Sequence, residues 1–118
     1  MAYVDGFLLP VPKKNVEAYL KMSRKAGKFW KKYGALEYRE CVGDDLTTNF
    51  GLPFPKLMKL KPGETVIFSW IVYKSKAHRD KVNKQVITDP EVAKAAPKIM
   101  PFDMKRMCFG GFKIGVDL

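Results

Sequence analysis

Residues Thr65–Asp80 read TVIFSWIVYKSKAHRD, an apolar, β-branched run that passes without glycine or proline into a charged segment. The run is too continuous for a half-exposed strand, so it reads as a central strand covered on both faces. The change at Lys74–Lys76 marks a helix start, with Ser75 as the N-cap. Ser69 and Tyr73 share one face of this strand, and that placement suggests either a polar pocket or a satisfied core. Trp70, on the other face, is expected to pack under the helices.

Working outward, Tyr3–Val11 is the first strand, with Phe7, Leu9 and Val11 on one face, Val4 and Leu8 on the other, and Pro10 and Pro12 ending it. Lys13–Tyr33 is the strongest helix. Val16, Tyr19, Leu20, Ser23, Ala26, Gly27, Trp30 and Tyr33 form one packing stripe, whose small members let the helix lie close to a sheet. Gly34 follows as the C-terminal glycine. Ala35–Val42 is the second strand. Residues 43–63 form a connection long enough to be structured or functional, and its apolar members Phe50, Leu52, Phe54, Leu57 and Met58 imply docking. Lys76–Ile87 is the second long helix, with Val82, Val86 and Ile87 inward, followed by a helical turn from Asp89 to Ala96. Met104–Val116 is the fourth strand, where Gly110-Gly111 suggest a bulge or a close backbone approach. The order β-α-β-β-α-β over one domain, residues 1–118, is the ferredoxin-like α+β fold: a four-stranded antiparallel sheet with both helices on one face.

Composition narrows the classes. At 118 residues, 47% hydrophobic and 29% charged, the chain builds a core without a metal or disulfide staple. Cys41 and Cys108 stand far apart, outside any CxxC pair, and read as small buried hydrophobes in a reducing cytoplasm. No apolar run approaches the ~20 residues that cross a bilayer, and the N-terminus lacks a basic leader. The expectation is a cytoplasmic protein with no membrane partner, no metal and no cofactor. The net charge of +10 raises an anionic partner. The lysines and arginines of the first helix, Lys21, Arg24, Lys25, Lys28 and Lys32 among them, fall opposite the apolar stripe, as on a solvated face. No nucleic-acid motif accompanies them, so nucleic acid is disfavoured.

Three segments, YVDGFLLPVPKKN, FSWIVYKSKAHRD and MPFDMKRMCFGGF, with GALEYRECVGDD between them, resemble the small bacterial YbaA-like proteins grouped as domain of unknown function 1428 (DUF1428). The resemblance spans nearly the whole chain. It implies a dimeric α/β barrel, in which two ferredoxin-like sheets associate face to face, and it implies no reaction. A homodimer also has a physical basis, because helices on one face leave the other sheet face bare. The long 43–63 connection is the alternative cover.

The candidate pocket residues are Glu40, Ser69, Tyr73 and Arg106, if their faces line the barrel interior. Glu40 and Arg106 would need partners there, and a Glu40–Arg106 pair is the expected one. His78 is the only histidine, in the first turn of a helix, and with Arg79, Asp80 and Asp103 it reads first as a cap or an ion-pair group. No GxSxG elbow surrounds Ser69, and no GxGxxG is present. The leading expectation is a homodimer binding a small acidic or aromatic molecule in an interior pocket. Cofactor-free, monooxygenase-like turnover enters only by analogy of fold. The alternatives are an RNA- or polyanion-binding module on the basic helix face, and an interaction protein without a ligand.

Overall fold

The structure, a computed structural model, describes residues 1–118. Its elements are β1 (Tyr3–Pro12), α1 (Val16–Lys32, entered through a 3-10 turn at Lys13–Asn15), β2 (Glu37–Val42), α2 (Phe54–Leu57), β3 (Glu64–Tyr73), α3 (Lys76–Thr88), α4 (Pro90–Ala95) and β4 (Cys108–Lys113). The four strands form one antiparallel sheet in the order β2-β3-β1-β4. This is the ferredoxin-like α+β arrangement.

Local chemistry sets the element ends. Ser75 caps α3 by accepting the His78 N–H at 3.1 Å. Asp89 caps α4 through the Glu91 N–H at 2.9 Å. After α1 the chain turns at Gly34, with φ +111°, while Ala35 N–H reaches Trp30 O and Gly34 N–H reaches Lys31 O. That double closure needs the left-handed residue glycine supplies.

Pro10 and Pro12 do not end β1. β4 pairs with β1 only from Tyr3 to Leu8, and the ladder phase turns both proline nitrogens toward that side. Beyond Leu8 this edge is free, so the missing N–H groups cost no ladder bond. β4 is shorter than expected, because Met104–Arg106 forms a 3-10 turn instead. Gly110-Gly111 make no bulge. Their pairing with Gly6 and Asp5 is unbroken, and a Cβ on Gly111 would collide with the Tyr3 ring.

The two faces of the sheet differ sharply. Toward the helices point Leu9, Val11, Tyr38, Glu40, Ile67, Ser69, Ile71 and Tyr73. Leu9, Val11 and Ile67 pack with Tyr19; Ile71 and Tyr73 pack with Ala35, Val82 and Val86. On the other face three rows run across the strands: Cys41–Phe68–Leu8–Cys108, Arg39–Trp70–Gly6–Gly110 and Glu37–Val72–Val4–Phe112. Phe68 and Phe112 are about half exposed, at 47% and 59%. Trp70 therefore lies on the open face rather than under the helices, with its Nε1–H on Glu37 Oε1 at 2.6 Å. Cys108 is exposed and Cys41 half-buried on the same face, so neither is a core residue. Ile87 also points outward.

The 43–63 connection is ordered around α2. Met58 is buried, and Leu46 and Phe54 pack against Cys41, Val66 and Phe68 at one end of the open face. Phe50 and Leu52 remain exposed, so the connection covers that end and leaves Phe112 exposed and Trp70 half-buried.

Candidate functional site

Between α1 and the sheet lies a cavity of about 190 Å³. One wall comes from the α1 stripe, where Tyr19, Met22, Ser23, Ala26 and Trp30 follow one another at helical spacing. The floor is Phe7, Leu9, Tyr38, Glu40, Ser69 and Ile71 from three strands. Met100, Phe102 and Met107 close the third side. The closing segment is tied down by Asn15 Nδ2–H donating to Pro101 O at 3.0 Å, and by the Tyr19–Phe102 edge contact.

The polar members of this lining are Tyr19, Ser23, Tyr38, Arg39, Glu40 and Ser69. Tyr19 O–H donates to Glu40 Oε2 at 2.8 Å. Tyr38 O–H donates to Ser23 O at 3.0 Å, so the 2.8 Å contact between Ser23 Oγ and Tyr38 Oη is filled by the serine proton. Burial pushes the Glu40 carboxyl above the usual carboxylate range, and the hydrogen bond from Tyr19 only partly opposes it. Burial likewise raises both phenols, Tyr38 to about 12 and Tyr19 further still, with the Glu40 charge adding to both. Both phenols are therefore fixed O–H groups at neutral pH. Glu40 is the group that can hold or release a proton, and its Oε1 accepts no hydrogen bond from a protein side chain or backbone.

The sequence-derived candidates separate in space. Glu40 and Ser69 are cross-strand neighbours, and both line the cavity. Tyr73 belongs to a second polar cluster, where Tyr73 O–H and Trp30 Nε1–H both donate to Asn83 Oδ1, at 3.2 and 3.0 Å. Nearby, Asp5 is buried against Arg79 Nη1 at 3.2 Å, and its carboxyl is raised by burial, which outweighs the guanidinium. Arg79 Nε sits 2.9 Å from Asp80 Oδ1 but is not aligned for a hydrogen bond. His78 accepts the Lys74 N–H on Nδ1 at 3.0 Å and does not line the cavity.

The expected Glu40–Arg106 pair does not form. Arg106 sits in the 3-10 turn rather than on β4, and it grips Glu64 with both terminal nitrogens at 2.6 and 2.9 Å. This fork holds the Glu64 carboxyl below its ordinary range. Asp103 caps that turn through the Lys105 N–H at 3.0 Å. Of the basic residues, Lys32 lies 3.6 Å from Asp89, whereas Arg24 and Lys28 flank an open groove beside β2. In the sequence Tyr19 and Ser23 read as packing residues of the α1 stripe, and the one local sign of more is that two hydroxyl side chains stand four residues apart on its inner face.

Fold and cavity together define a ferredoxin-like α+β domain with a partly open, carboxyl-bearing space between sheet and helix. The family described as "Protein of unknown function (DUF1428)" matches residues 2–104, and the chain belongs to it. It is 41% identical over 117 residues to the uncharacterized protein YbaA of Escherichia coli K12, covering 99% of each chain. YbaA of Shigella flexneri matches to the same extent. Among solved structures, an uncharacterized NIPSNAP domain protein from Burkholderia xenovorans is similar at TM-score 0.57 and 15% identity, over 96% of this chain and 94% of that one. A dimeric ferredoxin-like protein from an uncultured marine organism aligns over the full length of both, at TM-score 0.54 and 10% identity. At these identities the likeness speaks to the fold.

Proposed function

We propose that this protein binds a small, neutral, mainly apolar molecule in the cavity between α1 and the sheet, and does so as a homodimer joined through the open sheet face. One observation carries the ligand reading: Glu40, a half-buried carboxyl, stands at the edge of an apolar space beside two phenols that stay protonated. A satisfied core does not need that space. An apolar cavity of about 150 Å³ suffices to bind benzene, so this one suits a single ring bearing a hydroxyl or carbonyl. An acidic ligand is disfavoured, because its charge would meet the Glu40 carboxyl in a medium of low dielectric. Proton exchange between Glu40 and the bound polar group is the chemistry the site supports.

The dimer reading rests on the half-exposed Phe68 and Phe112 beside Val4, Leu8 and Trp70, a continuous apolar surface on a two-layer domain. The dimeric ferredoxin-like neighbour supports it.

Trp30 is the cavity's own fluorophore, and Trp70 lies on the opposite face, so a Trp70→Phe variant isolates the signal. Titration with phenol at pH 7 is expected to change Trp30 emission saturably, while benzoate is at least tenfold weaker. Glu40→Gln should narrow that gap by admitting benzoate. Absence of a saturable change, or equal binding of benzoate by the unsubstituted site, overturns the reading.

A further inference from the structure

β2 is an edge strand: only β3 pairs with it. The ladder phase, set by Gly43 N–H on Val66 O, turns the backbone groups of Glu37, Arg39 and Cys41 inward to β3. Those of Tyr38, Glu40 and Val42 consequently point away from the sheet. Beside this edge runs an open groove of about 490 Å³ between β2 and α1. Its rim carries Arg24, Lys28 and Lys31 from α1, and Arg39 from β2. Glu37 is its one acidic member and is already engaged by Trp70 Nε1–H and Arg39 Nε. The groove is roofless but has a sealed floor. Gly27 lets α1 settle onto the Tyr38 ring, which a Cβ at position 27 would approach to 2.6 Å.

We propose that this groove is a docking site for an extended acidic peptide, which adds as a fifth strand to the β2 edge. Two independent features fit such a partner. Unpaired backbone groups call for another polypeptide backbone, and cations on one side call for acidic side chains. The spacings agree. Arg24, Lys28 and Lys31 are four and three residues apart, so they span about 10 Å along α1 at 1.5 Å per residue. Alternate side chains of an added strand recur every ~6.7 Å, so three successive same-face acids span about 13 Å and place one near each cation. A single-stranded RNA would satisfy the charges but not the edge. It would also lack an exposed stacking surface, because the Tyr38 ring lies beneath Gly27. The site is separate from the Glu40 cavity and does not depend on a ligand there.

The test uses fluorescence anisotropy at 50 mM salt with three fluorescein-labelled probes: a decapeptide alternating Glu and Thr, the same decapeptide N-methylated at every backbone nitrogen, and decauridylate. The Glu-Thr peptide is expected to bind at least tenfold tighter than the equally charged N-methylated peptide, which has no backbone N–H to give to the β2 edge. It should also bind tighter than the RNA. In Arg24→Glu/Lys28→Glu, whose side chains are exposed, that binding should fall at least tenfold. As a second readout, the Tyr38, Glu40 and Val42 amides should slow in hydrogen exchange when the Glu-Thr peptide is present. Equal binding of both peptides would mean a charge effect without strand addition. Preference for decauridylate would make the surface a nucleic-acid contact. Unchanged exchange at the β2 amides would place any bound peptide elsewhere. Each of these results overturns the proposal.

Discussion

Ile67 and Phe68 are neighbours in β3, yet one is fully buried and the other is 47% exposed. The contrast extends along the two central strands, β1 and β3. The helix-side face carries the core and the Glu40 cavity; the opposite face carries an aromatic surface that no element of the chain covers beyond its Val66 end. Because side chains alternate along a strand, a shift of one residue exchanges these roles completely. The two faces therefore allow sharply different expectations for adjacent positions.

The largest expected effect comes from the buried side. Ile67→Ala should cost about 2–5 kcal/mol of unfolding free energy, read from denaturant titration, because its surroundings are sealed. Gly27→Val tests the helix–sheet contact that shapes both cavity and groove. With a Cβ forced toward the Tyr38 ring, it should cost about 1–3 kcal/mol and weaken phenol binding. On the open face the measured quantity changes. Phe68→Glu should weaken self-association at least tenfold, equivalent to ~1.4 kcal/mol, in sedimentation velocity. A monomeric unsubstituted protein at tens of micromolar would remove that half of the comparison.

The smallest effect concerns pH. The folded-state pKa of Glu40 is raised, so as pH climbs past the unfolded value the unfolded chain ionises first. Stability then falls until the folded carboxyl also ionises. Glu40→Gln lacks this loss. Its stability relative to the unsubstituted protein should rise from about pH 4.5 through the raised pKa and then level off. Glu64 works in the opposite sense. Its lowered pKa gives stability that is present above the unfolded value and lost as pH falls through the folded one, and Arg106→Gln should remove that acid-side slope.

Much of the fold is written in local chemistry. The Ser75 cap, the Gly34 turn, the Val82 and Val86 positions and the alternation of β1 all follow from short-range rules. What alternation cannot supply is which of two apolar faces meets the helices. In β3 both faces are rich in large apolar groups, so alternation alone does not say that Trp70 lies on the open face and Ser69 on the helix side. Ser69, Tyr73 and Glu40 turn toward the helices rather than toward a barrel shared with a second subunit. The exit of β4 was equally hidden. Met104–Arg106 reads as strand by composition, but the Asp103 cap winds it into a 3-10 turn and sends Arg106 to Glu64. Glu40 was visible as a carboxyl in need of a partner. Its partner, Tyr19, lies one helix away and twenty-one residues back, and no local rule links the two.

Occupation of the helix-side space by a ligand can be read in the methyl NMR spectrum of methionine-labelled protein. Met22, Met100 and Met107 line the cavity, whereas Met1 and Met58 lie outside it. Phenol titration is predicted to shift the Met22, Met100 and Met107 methyl signals together along one saturation curve, and to leave Met1 and Met58 unmoved. Shifts absent from those three, or spread evenly over all the methionines, would contradict it.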